Sequence, residues 1–484
     1  MKKILNYIDG SYCEPFSKDW LDNYNPSKGL VYSKIASSSS IDIENAYLAA
    51  KKAFSSWSNT TINERRAILS KIADLIEDNL DQLAEAESLD NGKPLSLAKS
   101  VDIPRASSNF KFFAHAITQF SSEAHESIGL NTMNFTLRQP IGVVGCISPW
   151  NLPLYLFTWK IAPALVTGNC VIAKPSELTP YTAYLLSKVC MKVNLPNGVL
   201  NILHGVGSSI GREIVKHNDI KAISFTGGTE TGKEIGIEAS KNLKKVNLEM
   251  GGKNPVIIFD DCDYNKMMES LVRSSFLNQG QICLAGSRIY VHAKIYDKFK
   301  KDFIAEVNAL NTGDPFDSNS DQGAIVSSNH LDKISKYVEY AKKDGGVILA
   351  GGEIVKIDGE CSNGWFYKPT VIEGLPQESR VNQDEIFGPV VTITKFYEDD
   401  DVIQMANNTQ YGLASILWTK DINKAHKLAE LVESGLVWVN CWLERDLRTP
   451  FGGIKKSGFG KEGGKYALDF FTETKNICTK YYDK

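Results

Sequence analysis

Apolar residues recur at helical spacing early in the chain and then change rhythm. Over residues 41–57, Ala50, Ala53, Phe54 and Trp57 share one helical face, with Ser40 placed to cap it. Residues 62–88 continue the helical period, with Leu69, Ile72, Ile76, Leu80 and Leu83 on one side. From Gly142 short, nearly continuous apolar runs take over, at 143–147, 170–173, 199–203, 222–225 and 246–249, with helix-like segments between them. Apolar strands alternating with helices predict an α/β fold whose parallel sheet is covered on both faces. A second α/β series begins near residue 251, with strands around 288–292, 347–350, 390–396 and 436–440. Two segments stand outside both series, and each alternates enough to be an extended strand: 131–138, and the tail 471–482. No internal repeat is present.

Composition narrows the classes. At 484 residues the chain can hold two or three domains with substantial cores. Charged residues make up 23% and the net charge is −3, so neither a nucleic-acid nor a membrane footprint is expected. Met1-Lys2-Lys3-Ile4-Leu5 begins like a signal peptide, but Asn6, Asp9 and Gly10 interrupt any apolar core. Nine scattered cysteines without CxxC spacing predict reduced thiols and a cytoplasmic protein. The histidines show no ligand spacing, so no metal is expected.

Two segments carry chemistry. Phe276-Leu277-Asn278-Gln279-Gly280-Gln281-Ile282-Cys283 reads as a helix end (Leu271, Ser275, Phe276) running into a turn that presents a thiol. Lys245-Val246-Asn247-Leu248 reads as a strand stopping at Glu249, ahead of Met250-Gly251-Gly252. A thiol attacks a carbonyl, and a separate carboxylate takes a proton from water to hydrolyse the thioester. Further words accompany this pair: Pro149-Trp150-Asn151, Lys174-Pro175-Ser176-Glu177, Phe225-Thr226-Gly227 through Gly232, Glu385-Ile386-Phe387-Gly388-Pro389 and Pro450-Phe451-Gly452-Gly453. Together, in this order, they resemble the NAD(P)-dependent aldehyde dehydrogenase superfamily over essentially the whole chain.

The resemblance implies a Rossmann-like NAD-binding domain (1–120 and 140–250) and an α/β catalytic domain (251–450). It also implies a small β oligomerisation element (121–139 and 465–484), hence a homodimer or homotetramer. It implies Cys283 as nucleophile, Glu249 as deacylation base, and Asn151 with the Cys283 backbone N–H as oxyanion donors. The Gly227–Thr229–Gly232 turn lies where a strand ends and a helix begins, which suits a pyrophosphate. Many relatives have Ser where this chain has Gly228. Lys174 matches a family lysine on the adenosine ribose. Glu177, after the second strand, would accept both ribose hydroxyls and repel a 2′-phosphate, favouring NAD. Glu385 and Phe387 match the nicotinamide-ribose carboxylate and the aromatic beside the nicotinamide. Trp150 and Met250 complete the cofactor set.

The substrate end carries arginines. Trp442-Leu443-Glu444-Arg445-Asp446-Leu447-Arg448 precedes the loop that closes the family's tunnel, and Arg105 starts a helix that lines it in relatives. Guanidinium groups clamp carboxylates. These words resemble the 2-hydroxymuconic and 2-aminomuconic semialdehyde dehydrogenases, with Arg445 ranked above Arg448. Leu152, Leu156, Trp159 and Phe451 are expected tunnel walls. The implied substrate is a carboxylated aldehyde. A broad-range or betaine-type aldehyde dehydrogenase is the alternative, and a non-catalytic binding protein on this fold a remote one.

Overall fold

The computed structural model describes residues 1–482, so the last two positions of the proposed oligomerisation segment, 483–484, lie outside the described residues. An eight-stranded sheet runs, in spatial order, Gly458–Phe459, Lys245–Glu249, Ala222–Thr226, Val143–Ile147, Cys170–Lys174, Leu200–Ile202, Asn6–Ile8, Ser11–Cys13. Its five central strands are parallel, and the strands Val143–Ile147 and Cys170–Lys174 are buried throughout. This is why they read as continuous apolar runs rather than as alternating ones. After Val143–Ile147 the chain builds outward through Cys170–Lys174 and Leu200–Ile202. It then returns to place Ala222–Thr226 on the other flank. The order therefore reverses at the end of Val143–Ile147, where α/β sheets leave a crevice. Pro149-Trp150-Asn151 follows directly.

A seven-stranded sheet is centred on Gly286–His292 and Asn254–Ile258, and only Val347–Ala350 runs antiparallel in it. Asn254–Ile258, Thr370–Glu373 and Ala414–Trp418, all inner strands, were not foreseen. The two extended segments do pair: Thr472–Lys480 lies antiparallel to Thr132–Pro140, with Ala124–Ser127 beyond it.

Two expectations need correction. The first helix, Ser40–Trp57, is capped by Ser39 and not Ser40; the Ser39 N–H donates to the Asp42 carboxylate at 2.7 Å. The period over 62–88 is not one helix. Ile62–Asp78 and Leu80–Asn91 are separated at Asn79, whose φ of −108° and ψ of 24° break the helical path while its neighbours keep the apolar stripe. The first 36 residues, left unassigned by pattern, form five short strands.

Candidate active site

Cys283 stands between two cavities. One, of about 220 Å³, is lined by Trp150, Asn151, Gly227, Met250, Glu385 and Phe387 as well as the cysteine. The other, narrower, is walled by Leu152, Leu156, Leu443, Arg445 and Phe451 and again by Cys283. The thiol is half-buried and opens on these spaces instead of on the molecular surface. The helix Tyr264–Phe276 delivers it through a turn in which Asn278, Gln279 and Gly280 all have positive φ (53°, 55° and 66°). Three successive left-handed residues are costly and persist only where their surroundings fix them. Here they are fixed. The polar run Asn278–Gln281 is buried and held through its amide N–H groups: Asn278 donates to the Asn151 carbonyl at 3.0 Å and Gln279 to the Ala324 carbonyl at 2.8 Å. Asn254 then holds the Cys283 carbonyl at 2.7 Å, tying the Glu249 segment to the cysteine turn.

The Asn151 side-chain amide donates to the Gln281 carbonyl at 3.0 Å, two residues before the cysteine. Its own carbonyl is gripped by Asn278 and by the Lys93 ammonium at 3.1 Å. Lys93 is wholly buried and paired with Asp102 at 2.7 Å and Glu87 at 3.3 Å. Sequence reasoning missed this triad.

Glu249 ends its strand with 3% exposure and neither carboxylate oxygen partnered among the described residues. Burial, then the neighbouring Glu462, push its carboxyl well above the usual range; Lys160, Lys461 and Arg445 act against this. A Cβ on Gly452, whose φ is +145°, would come within 2.4 Å of the Glu249 carboxylate, so only glycine lets that backbone pass. Lys160 and Glu462 form a buried pair at 2.8 Å beneath it. Lys160 was also missed, although a lone lysine inside the otherwise apolar Pro153–Val166 signals a buried partner. The Cys283 thiol is pushed up to about 12 by burial, then by Glu385 and Glu249.

At the carboxyl ends of the strands of the first sheet a larger cavity of about 690 Å³ continues from Trp150, Thr226, Gly227 and Gly228 to Lys174, Glu177, Gly207 and Ile235. Lys174 is buried and paired with Glu177 at 2.8 Å. Glu177 also accepts the Gly207 N–H at 3.2 Å. Burial acts to raise its carboxyl, but Lys174 and the backbone N–H groups hold it below the usual range. Gly228 caps the helix Thr229–Ser240, while Gly232 packs so tightly on Met250 that a Cβ would meet its sulfur at 2.2 Å. In the cavity of about 220 Å³, Glu385 accepts the Gly252 N–H at 2.9 Å. Phe387, at φ 63°, stands edge-on to Trp150. His330 and Lys333 line the same space and were not foreseen.

Of the arginines, Arg445 is brought to the site. Its guanidinium lies between the rings of Trp159 (4.3 Å) and Phe451 (4.0 Å) and donates through Nη1 to the Tyr155 hydroxyl at 2.9 Å. Arg105 comes within 5.8 Å of the Tyr155 ring centre but does not line the inner cavity. Arg448 is a correction: it is 80% exposed and doubly bonded to Asp446, two residues away. A local carboxylate satisfies it, so it faces solvent.

The sequence profile of the Aldehyde dehydrogenase family matches residues 12–477, and the chain belongs to that family. A 2-aminomuconic semialdehyde dehydrogenase of Homo sapiens is 46% identical over 480 residues, 99% of this chain and 98% of that protein. A 2-hydroxymuconic semialdehyde dehydrogenase of Pseudomonas sp. (strain CF600) is 41% identical over 485 residues, 99% of this chain and all of that protein, 100%. Among solved structures, a betaine aldehyde dehydrogenase of Staphylococcus aureus in complex with NAD+ superposes with a TM-score of 0.96 at 37% identity, covering 100% of this chain and 99% of that one. The fold is that of the aldehyde dehydrogenases, and the chain is an enzyme that oxidises an aldehyde to an acid. Among the described residues, no helix is long and apolar enough to cross a membrane.

Proposed function

We propose that this enzyme is an NAD-dependent, hydrolytic dehydrogenase of a short aldehyde bearing a distal carboxylate, of the 2-hydroxymuconic or 2-aminomuconic semialdehyde type. One observation carries the reading: Cys283 is the wall shared by the two cavities, and the narrower one ends at a guanidinium whose Nε and Nη2 are buried without partners. A buried charged donor left unpaired is costly, and a carboxylate is the ligand that satisfies it in pairs.

The wider cavities fit NAD. Gly227 and Gly228 at the N-terminus of the helix Thr229–Ser240 face the pyrophosphate, with Thr229 buried and Gly232 packed on Met250 behind them. Lys174 and Glu177 meet the adenosine ribose, and Glu385 and Phe387 the nicotinamide end, beside Trp150 and Met250. When bound, NAD supplies the hydride acceptor. Cys283 attacks the aldehyde carbon, and the Asn151 amide with the Cys283 N–H stabilises the oxyanion. Loss of hydride turns the thiohemiacetal into a thioester. Glu249 takes a proton from water, the water oxygen attacks the thioester carbonyl, and the thiol leaves as the acid departs. The Lys160–Glu462 pair lies close enough to act on the charge of Glu249, Glu462 raising its carboxyl and Lys160 lowering it.

A betaine-type substrate is disfavoured by the same residues. A quaternary ammonium needs free aromatic faces, and the chain's own Arg445 already fills the space between Trp159 and Phe451. We take three spatial units, 1–120 with 140–250, 251–450, and the paired segments 121–139 with 465–484, as the domains; Gly458–Phe459, outside all three, completes the first sheet. Ile128 and Leu130, 79% and 68% exposed beside the small sheet, favour assembly into a homodimer or homotetramer. The nine unpaired cysteines suit the reducing cytoplasm.

NADH formation with a muconic semialdehyde and with hexanal tests the reading. Arg445→Ala is expected to raise KM strongly for the carboxylated aldehyde, by an equivalent of about 2–5 kcal/mol where a desolvated pair is lost, and Arg105→Ala, outside the inner cavity, to cost less. Equal losses on both aldehydes would return the assignment to a general aldehyde dehydrogenase.

A further inference from the structure

Every direction around the Arg445 guanidinium is accounted for except one. Its two faces are covered by Trp159 and Phe451, and Nη1 is committed to the Tyr155 hydroxyl. The remaining edge, Nε with Nη2, is buried and has no partner among the described residues. A planar guanidinium stacked on both faces can be approached only in its own plane, and the Nε–Nη2 edge offers two parallel N–H bonds to one carboxylate.

Tyr155 is the residue that sets this plane's rotation. It lies in the first turns of Pro153–Val166, is 7% exposed, and packs with Leu152 and Leu156 along the narrow cavity. Its backbone is pinned, since Asn109 donates to its carbonyl at 2.9 Å. The hydroxyl accepts from Arg445, and its own proton has no acceptor among the described residues. A tyrosine hydroxyl can accept and donate at once. A phenylalanine here would free the guanidinium to rotate and would remove one donor from the cavity.

We propose that Tyr155 is a specificity-determining residue: it turns the Nε–Nη2 edge of Arg445 into the cavity and donates its hydroxyl proton to the same distal carboxylate. The inference rests on the carboxylated-aldehyde reading above and adds a third donor to it. A neutral aldehyde would gain nothing from this arrangement, so the residue acts on selectivity between aldehydes.

The experiment compares Tyr155→Phe and Arg445→Ala with the unaltered enzyme, with NAD saturating. The readouts are the ratio of kcat/KM for a muconic semialdehyde to that for hexanal, and the inhibition constant of adipate, a six-carbon dicarboxylate, competing with the aldehyde. Tyr155→Phe is expected to lower the ratio about tenfold, chiefly through KM, and to weaken adipate by a similar factor, the size of one hydrogen bond to a charged group. Arg445→Ala should lower both further. If Arg445→Ala collapses the ratio while Tyr155→Phe leaves ratio and adipate binding unchanged, the role of Tyr155 is overturned and the carboxylate reading stands. If Arg445→Ala also leaves the ratio unchanged, the carboxylate reading itself falls and takes this inference with it.

Discussion

Cys283 and Glu249 are both held toward their protonated forms by burial and by nearby carboxylates. Each acts only when deprotonated, so the sign is the same for both: turnover should rise with pH. For Glu249 the raised carboxyl means that the active base is lost at a higher pH than for a solvated glutamate. Glu249→Gln should therefore give a burst of about one NADH per site and then stall, as the second half-reaction fails. Cys283→Ala should give no burst while still binding NAD. Rapid-mixing absorbance separates the two variants, and a Glu249→Gln enzyme that never acylates would assign the carboxylate an earlier role. Glu177 carries a third expectation. A 2′-phosphate would meet its carboxylate, so kcat/KM should favour NAD over NADP, and Glu177→Gln should narrow the gap; equal use of both cofactors by the unaltered enzyme would mean the carboxylate points elsewhere. These residues were legible because short words surround them. Tyr155, Lys93 and Lys160 were not, because each sits in an ordinary helical or loop context and acquires meaning only from partners far along the chain.

At the scale of elements, near-continuous apolar runs identified the parallel strands of the first sheet to within a residue or two. Three inner strands of the second sheet escaped: Asn254–Ile258 follows the glycines with no helical spacer, Ala414–Trp418 begins with small residues, and Thr370–Glu373 is only four residues long. The division of 62–88 also escaped, because Asn79 changes the backbone without breaking the apolar period. The helix Thr229–Ser240 offers a test at this scale. Its cap, Gly228, makes no side-chain bond, and a Cβ added there meets nothing within 4 Å. Gly228→Ser should stabilise the protein by a few tenths of a kcal/mol, roughly the difference between these two caps. Urea denaturation measures it, and a loss of stability would show that the open space is required by the backbone.

Across the whole molecule, the Lys93–Asp102–Glu87 cluster joins Leu80–Asn91, the segment before Ile103–Ala116, and the Asn151 turn in one fully buried set of charges. Removing one member strands the others. Lys93→Met is expected to cost about 3–5 kcal/mol of stability, the usual result of breaking a buried pair from one side, and the shift in the unfolding midpoint would report it. A cost below about 1 kcal/mol would mean that the two acids accommodate by holding protons.

The return of Gly458–Phe459 to the edge of the first sheet has a consequence for how the enzyme is made. The surroundings of Glu249 are supplied late: Gly452, Lys461 and Glu462 all follow the second sheet, and Thr472–Lys480 must find Thr132–Pro140 across most of the chain. Contacts of such long separation close slowly. A polypeptide still on the ribosome can thus complete its cofactor cradle and its cysteine turn while the hydrolytic base remains unhoused. Activity should appear as a single late step in coupled translation assays, once residues 452–462 have joined the first sheet, and not in proportion to the length synthesised.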